Sequence, residues 1–213
     1  MDRIKKLCSY LDKCTTFADV GCDHGYCTRY MLKNGLCESA VISDISAKCL
    51  QKAESLLAEH IESGKVKPVC CNGLDGISAD IDQVLIAGMG GEEIVNIFKN
   101  SFIPKNFVLQ PMKNIRAVRE YLLSNGAEIF VDEPFESGGK YYYVLKGKRG
   151  GTVCYGQKQL EFGLNLSGEI TKKYINSEIA KKRAYLERDL KDNTRLKIKE
   201  EIRFMEGVLT DES

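Results

Sequence analysis

The sequence predicts an α/β fold: a mostly parallel sheet with an antiparallel terminal hairpin, followed by a coiled-coil-like helical hairpin. Three observations carry this. Strand and helix patterns alternate from Thr16 onward, the signature of a parallel sheet with crossover helices. Two strand patterns, "AEIFVDEPF" and "KYYYVLKG", then follow each other with only "ESGG" between them. So short a link can only turn back on itself, so that pair must be antiparallel. After Gly151 the strand signals stop and helical periodicity takes over.

The elements follow in order. "MDRIKKLCSYLDKC" is a charged amphipathic stretch, not a signal peptide. "TFADVG" is the first strand, and "YCTRYMLKNG" a helix closed by Gly35. "SAVISD" is the second strand. "SAKCLQKAESLLAEHIESG" reads as one long helix ending at Gly64. "VKPVCCNG" and "IDQVLIAGMGG" give strands three and four, "EEIVNIFKN" a helix, and "NFVLQPM" strand five. "NIRAVREYLLSNG" is a helix with Ile115, Val118 and Leu122 on one face. A helix from Gly168 to Lys191 and a second from Thr194, with Ile198, Ile202, Met205 and Leu209 aligned, are joined by the turn and cap signal "DNT". Two domains are therefore expected, 1–153 and 154–213.

Composition bounds the function. The 213 residues are 43% hydrophobic and 29% charged, enough for one sizeable core plus an appendage. Net charge is +1, so no global basic field advertises nucleic acid. Nine cysteines form no CxxC pair and read as free thiols, which suits a reducing cytoplasm. With only His24 and His60 to assist them, no metal site is expected. Nothing approaches the roughly 18 apolar residues needed to span a membrane.

The first loop, "DVGCDHGY", places Asp19, Gly21, Asp23 and Gly25 at spacing two. This is not the dinucleotide fingerprint. Acids repel phosphates, so the loop suits a cofactor that has cationic groups and no phosphate. S-adenosylmethionine carries an ammonium and a sulfonium, and one carboxylate could hold the ammonium. Asp44 ends the second strand, 23 residues after Gly21, an offset at which an acid accepts from ribose hydroxyls. "NGLDG" follows the third strand and "AGMGG" the fourth. All four features fall at the carboxyl ends of strands, where open α/β sheets bind ligands.

"FADVGCDHGY", "ISDIS", "VLIAGMGGEEI", "FVLQPMKNIRAVREYLLSNG" and "GGKYYYVL" together resemble bacterial tRNA (adenine-22-N1)-methyltransferases, the TrmK family. The resemblance implies a class I, Rossmann-like methyltransferase that uses S-adenosylmethionine and modifies N1 of adenine 22 in the D-arm of tRNA. It implies a cofactor loop from Asp19, Gly21, Asp23 and His24, a ribose contact at Asp44, and Ile45 beside it among the cofactor-binding residues. Asn72, Gly73 and Leu74 would lie near the adenine of the cofactor, and Ala87, Gly88 and Met89 near the methyl donor. Gln110 and Pro111 would face the substrate. One departure is local: "YCTRY" stands where the family carries a hydrophobic residue and often proline.

N1 of neutral adenine already carries a lone pair, so positioning outweighs proton removal. A stacked adenine must also be extruded to reach a pocket. Gln110 offers a carbonyl to the exocyclic amine, and Tyr26 a ring or a hydroxyl; these two are the catalytic candidates. A polar strand-end cap for Gln110 and core packing for Tyr26 are the plain alternatives. For tRNA, the basic residues are "KKR" at 181–183, Lys172, Lys173 and the strip Lys140, Lys146, Lys148, Arg149 and Lys158. The helical hairpin is the expected tRNA-binding accessory, and the protein is expected to be a monomer. Two rivals stay open: a methyltransferase of small molecules or proteins, and a non-catalytic cofactor-sensing RNA adaptor.

Overall fold

The computed structural model describes residues 3–210. The chain divides into two compact units, Met1–Cys154 and Tyr155–Ser213.

The first unit holds a seven-stranded sheet in the order β3-β2-β1-β4-β5-β7-β6. Strands β1 (Thr16–Val20), β2 (Ser39–Asp44), β3 (Val66–Cys70), β4 (Gln83–Ala87) and β5 (Asn106–Gln110) are parallel. The central strands β1, β4 and β5 are buried without alternation, because helices cover both faces of such a sheet, whereas the edge strand β3 buries only Val66. Phe17, Ile42, Val84, Ile86, Phe107 and Leu109 are completely buried, each contributing about 1.5–3 kcal/mol.

Strands β6 (Ala127–Ser137) and β7 (Lys140–Arg149) form the hairpin, and β7 inserts between β5 and β6. Gly138 and Gly139 make its two-residue turn with φ of +58° and +72°. Two successive left-handed residues match the twist of the flanking strands, and only glycine adopts them freely. A bulge between Ile129 and Val131 bends β6.

Helix α1 (Arg3–Cys8) precedes β1, and α2 (Tyr26–Lys33), α3 (Ala47–Leu56), α4 (Ala58–Glu62), α5 (Gly91–Lys99) and α6 (Ile115–Ser124) lie in the connections between strands. The single helix expected up to Gly64 is broken into α3 and α4 at Leu57, whose backbone sits at φ −111°, ψ 15°. Leu57 is 1% exposed and lies within the core cluster with Ala53 and Leu50. Tertiary burial of that side chain overrides a locally helical run.

The second unit comprises α7 (Gln157–Phe162), which the sequence did not suggest, α8 (Glu169–Leu186) and α9 (Asp192–Thr210). Phe162, Ile175, Ile179, Ile198, Ile202, Met205 and Val208 form its own core. Phe162 comes from α7 and the rest from the near-heptad apolar stripes of α8 and α9.

Candidate functional site

Strand order reverses between β1 and β4, and a cavity of about 550 Å³ opens at their carboxyl ends. The loop after β1 forms its floor. Gly21 N–H and Cys22 N–H both donate to the Ser43 carbonyl, at 2.8 and 3.0 Å, tying the loop to β2. Gly21 lies at φ +70°, and a Cβ there would strike the Met89 methyl from the β4 loop. Close approach and a left-handed backbone together require glycine. Asp23 is also left-handed, at φ +43°, a conformation that short polar side chains tolerate.

The two loop acids take different places. Asp19 is buried at 6% exposure beside the cavity, and Thr28 Oγ1 donates to its Oδ2 at 2.8 Å. Burial raises its pKa to about 6, against the lowering effect of Thr28. Asp23 sits half-exposed at the cavity rim and pairs with Lys52 at 2.8 Å, a bond that holds its carboxyl below the usual range. Asp44 Oδ1 accepts from Ser46 N–H at 2.8 Å, and its Oδ2 from Asp23 N–H at 3.4 Å. Asp44 thereby fixes both the β2 exit and the first loop.

Among the described residues, Asp19, Asp23, Asp44 and Glu93 line the cavity, against one permanent cation, Arg3. The field is sensed locally: burial first, then Asp19 and Asp44, push the Cys22 thiol far above its ordinary range. The donor set therefore fits a ligand with cationic groups, as the loop composition implied. Ile45, 72% exposed, supplies an apolar face at the rim.

The expected residues mostly meet here. Asp19, Gly21, Asp23, His24, Tyr26, Asp44, Ile45, Asn72, Gly73, Ala87, Gly88 and Met89 all line the cavity. Two do not. Leu74 is 2% exposed and points into the core. Gln110 is fully buried; its Oε1 accepts from Arg3 Nη1 at 3.3 Å, and its amide donates to the Pro111 carbonyl at 3.2 Å. As placed, its carbonyl oxygen is held by Arg3 rather than presented to the cavity. Tyr26 is 43% exposed and stacks on His24, with ring centroids 5.3 Å apart, so it is not core packing beneath the loop.

Sequence reasoning missed Arg3, Ile4 and Leu7 of α1, which close one side of the cavity, and Glu93 in the first turn of α5. The amphipathic pattern of the N-terminal stretch was the available signal for α1. Among the described residues, no group of three or more His, Cys, Asp or Glu could hold a metal ion, and no helix is long and apolar enough to cross a membrane.

Several expected tRNA-contacting cations are already paired. Lys146 and Lys148 on β7 bind Asp12 and Glu128 at 2.6 and 3.0 Å. In the helical unit Lys173, Lys181 and Arg183 pair with Glu169, Glu178 and Glu206, each at 2.6 Å, and Lys182 pairs with Glu201. Of the hairpin tyrosines, Tyr142 stacks on Phe135 at 5.6 Å and the Arg119 guanidinium covers Tyr143 at 4.7 Å. Packing, not base stacking, occupies these two rings.

Comparison with known proteins agrees with this geometry. A Mycoplasma pneumoniae protein described as "Putative tRNA methyltransferase" is 37% identical over 131 residues, 61% of each chain. The match thus spans less than two thirds of that relative's length. The tRNA (adenine(22)-N(1))-methyltransferase of Bacillus subtilis is 26% identical over 84% of this chain and 78% of its own. A solved Streptococcus pneumoniae structure, a putative tRNA (m1A22) methyltransferase in complex with S-adenosyl-L-methionine, superposes with a TM-score of 0.87. It covers 98% of this chain and 100% of that one at 22% identity, and shows a shared fold. Residues 1–145 match the family model described as a methyltransferase domain. With that match covering most of its length, the chain belongs to the methyltransferase domain family.

Proposed function

We propose that this chain methylates N1 of adenine 22 in the D-arm of tRNA, with S-adenosylmethionine as donor. The observation that carries the reading is the acidic cavity at the β1–β4 switch point, with its one buried carboxylate, Asp19. The relatives named for tRNA methylation supply the substrate class.

S-adenosylmethionine, when bound, supplies an electrophilic methyl group on a sulfonium cation. Asp19 would provide negative charge for its cationic groups, with Asp23 at the rim already paired to Lys52, and Asp44 would accept from its ribose. Ile45, Asn72 and Gly73 would border its adenine, while Ala87, Gly88 and Met89 would line the side of the reacting carbon. Tyr26, exposed at the cavity edge, faces the target base. Gln110 acts from behind as a positioning residue, because its carbonyl fixes the Arg3 guanidinium at the cavity wall. No general base is assigned, because N1 of neutral adenine is already unprotonated.

The deciding experiment is mass spectrometry of tRNA nucleosides after incubation with the protein and methyl donor. We expect 1-methyladenosine, mapped to position 22. Cofactor turnover without modified tRNA would move the substrate elsewhere.

A further inference from the structure

The cationic clusters most obvious in the sequence are largely neutralised by partners in the fold. A different set is not. A groove of about 890 Å³ runs between α1 and α2, with Ile4 and Cys8 among its lining residues. Among the described residues its charged side chains are Lys5, Arg29 and Lys33, and no acid lines it. All three are exposed, and among the described residues none of them forms an ion pair with a carboxylate.

The groove also presents two exposed rings, Tyr26 at 43% and Tyr30 at 38%. Positions 26, 29, 30 and 33 follow i, i+3, i+4, i+7, so tyrosines and cations share one face of α2. The Arg29 guanidinium lies 5.6 Å from the Tyr26 ring centroid. Tyr26 belongs to both walls: it lines the acidic cavity on one side and this basic groove on the other. A ligand strand in the groove would end beside the reaction site.

From this we infer that the α1–α2 groove binds the single-stranded RNA segment flanking the target nucleotide, with phosphates on Lys5, Arg29 and Lys33 and an unstacked base on Tyr30. The inference rests on the proposed tRNA substrate. Cations that track a backbone, interleaved with exposed aromatic rings, are what single-stranded nucleic acid requires. An acidic protein surface would use the cations and leave the rings idle. The change of sign at Tyr26 also sorts the ligands: the cationic cofactor is favoured in the cavity and the polyanion in the groove.

The test uses the full chain. Arg29→Ala/Lys33→Ala, Lys5→Ala and Tyr30→Ala are compared with wild type for tRNA binding by anisotropy across a potassium chloride series. S-adenosylmethionine binding is followed by calorimetry as the folding control. The double variant should bind tRNA roughly tenfold more weakly, with a salt slope smaller by about 1.4, the value for two phosphate contacts on a single strand. Lys5→Ala, on the other helix, should lower the slope by about half that amount. Tyr30→Ala should weaken binding by roughly fivefold or more with the slope unchanged, and Tyr30→Phe should restore it. Wild-type affinity and slope in folded variants would overturn the inference. So would loss of poly-glutamate binding with tRNA binding intact, which would assign the groove to an acidic protein. Nucleoside analysis of the wild-type reaction is read separately. If wild type modifies tRNA and the variants bind it normally, the groove fails and the proposed function stands. If wild type does not modify tRNA, that function fails, and the binding series still decides the groove.

Discussion

Thr28 Oγ1 donates to Asp19 Oδ2 at 2.8 Å, and both side chains are buried beside the cavity. The hydroxyl supplies a hydrogen bond to a carboxylate that has lost its water. It does not fully compensate, and the Asp19 pKa rises from 3.8 to about 6.

A pH dependence follows with a definite sign. A carboxyl with a raised folded-state pKa binds protons more tightly folded than unfolded. Stability without ligand should therefore fall as pH rises from 3.8 to about 6, then level off. The total is about 3 kcal/mol at most, by the usual conversion of pKa into free energy. In urea denaturation from pH 4 to 8, the difference in stability between wild type and Asp19→Asn should carry this slope. The variant should be relatively more stable above pH 6. Parallel curves would mean that Asp19 does not titrate in this window.

The two other loop acids separate by their partners. Asp44 holds two backbone N–H groups and faces the cavity, whereas the Asp23 carboxylate is half-exposed and paired with Lys52. Asp44→Ala should weaken S-adenosylmethionine binding by about 1–3 kcal/mol. Asp23→Ala should cost clearly less. Calorimetry on both folded variants decides the order, and equal losses would put Asp23 in the cofactor's first contact layer.

Gly21→Ala places a Cβ on the Met89 methyl at a left-handed position. The backbone strain alone costs about 1–2 kcal/mol. The flexible Met89 side chain can give way, but it lines the cavity. Cofactor affinity should therefore fall further than strain predicts, and Gly21→Ala/Met89→Ala should recover part of the loss. A double variant no better than the single one would rule out this coupling.

Arg119 and Asp132 form a two-pronged pair, 2.7 Å in each contact, with both side chains buried between α6 and β6. Removing either partner strands a buried charge. Arg119→Ala or Asp132→Ala should each lower stability by about 3–5 kcal/mol, whereas replacing both with apolar residues of similar volume should cost far less. Equilibrium unfolding of the single and paired variants tests the non-additivity.

The helical unit is proposed as a tRNA-binding accessory, and Lys197, Lys199 and Arg203 are cations there outside the ion pairs described above. Truncation after Cys154 follows the boundary between the units. It should leave cofactor affinity near full length and weaken tRNA binding sharply. A folded truncation that modifies tRNA at the full-length rate would remove the hairpin from RNA recognition.

Local rules made much of this protein readable in its sequence. Unbroken apolar runs such as "VLIA" marked strands buried on both faces. "ESGG" forced a reversal, and the spacing of Asp19, Gly21, Asp23 and Gly25 marked a turn suited to a cationic ligand. These are short-range constraints on backbone angles and periodicity, carried within a few residues. What tertiary structure decided depends on distant partners. Asp19 and Asp23 look equivalent in "DVGCDHGY", yet Lys52, 29 residues away, neutralises one while the core desolvates the other. Gln110 reads as a free polar strand end until Arg3, 107 residues earlier, closes over its carbonyl. "KKR" reads as a basic patch until Glu178, Glu201 and Glu206 meet it. Desolvation and charge pairing are set by whichever groups packing brings within a few ångströms, and local sequence carries no record of those neighbours.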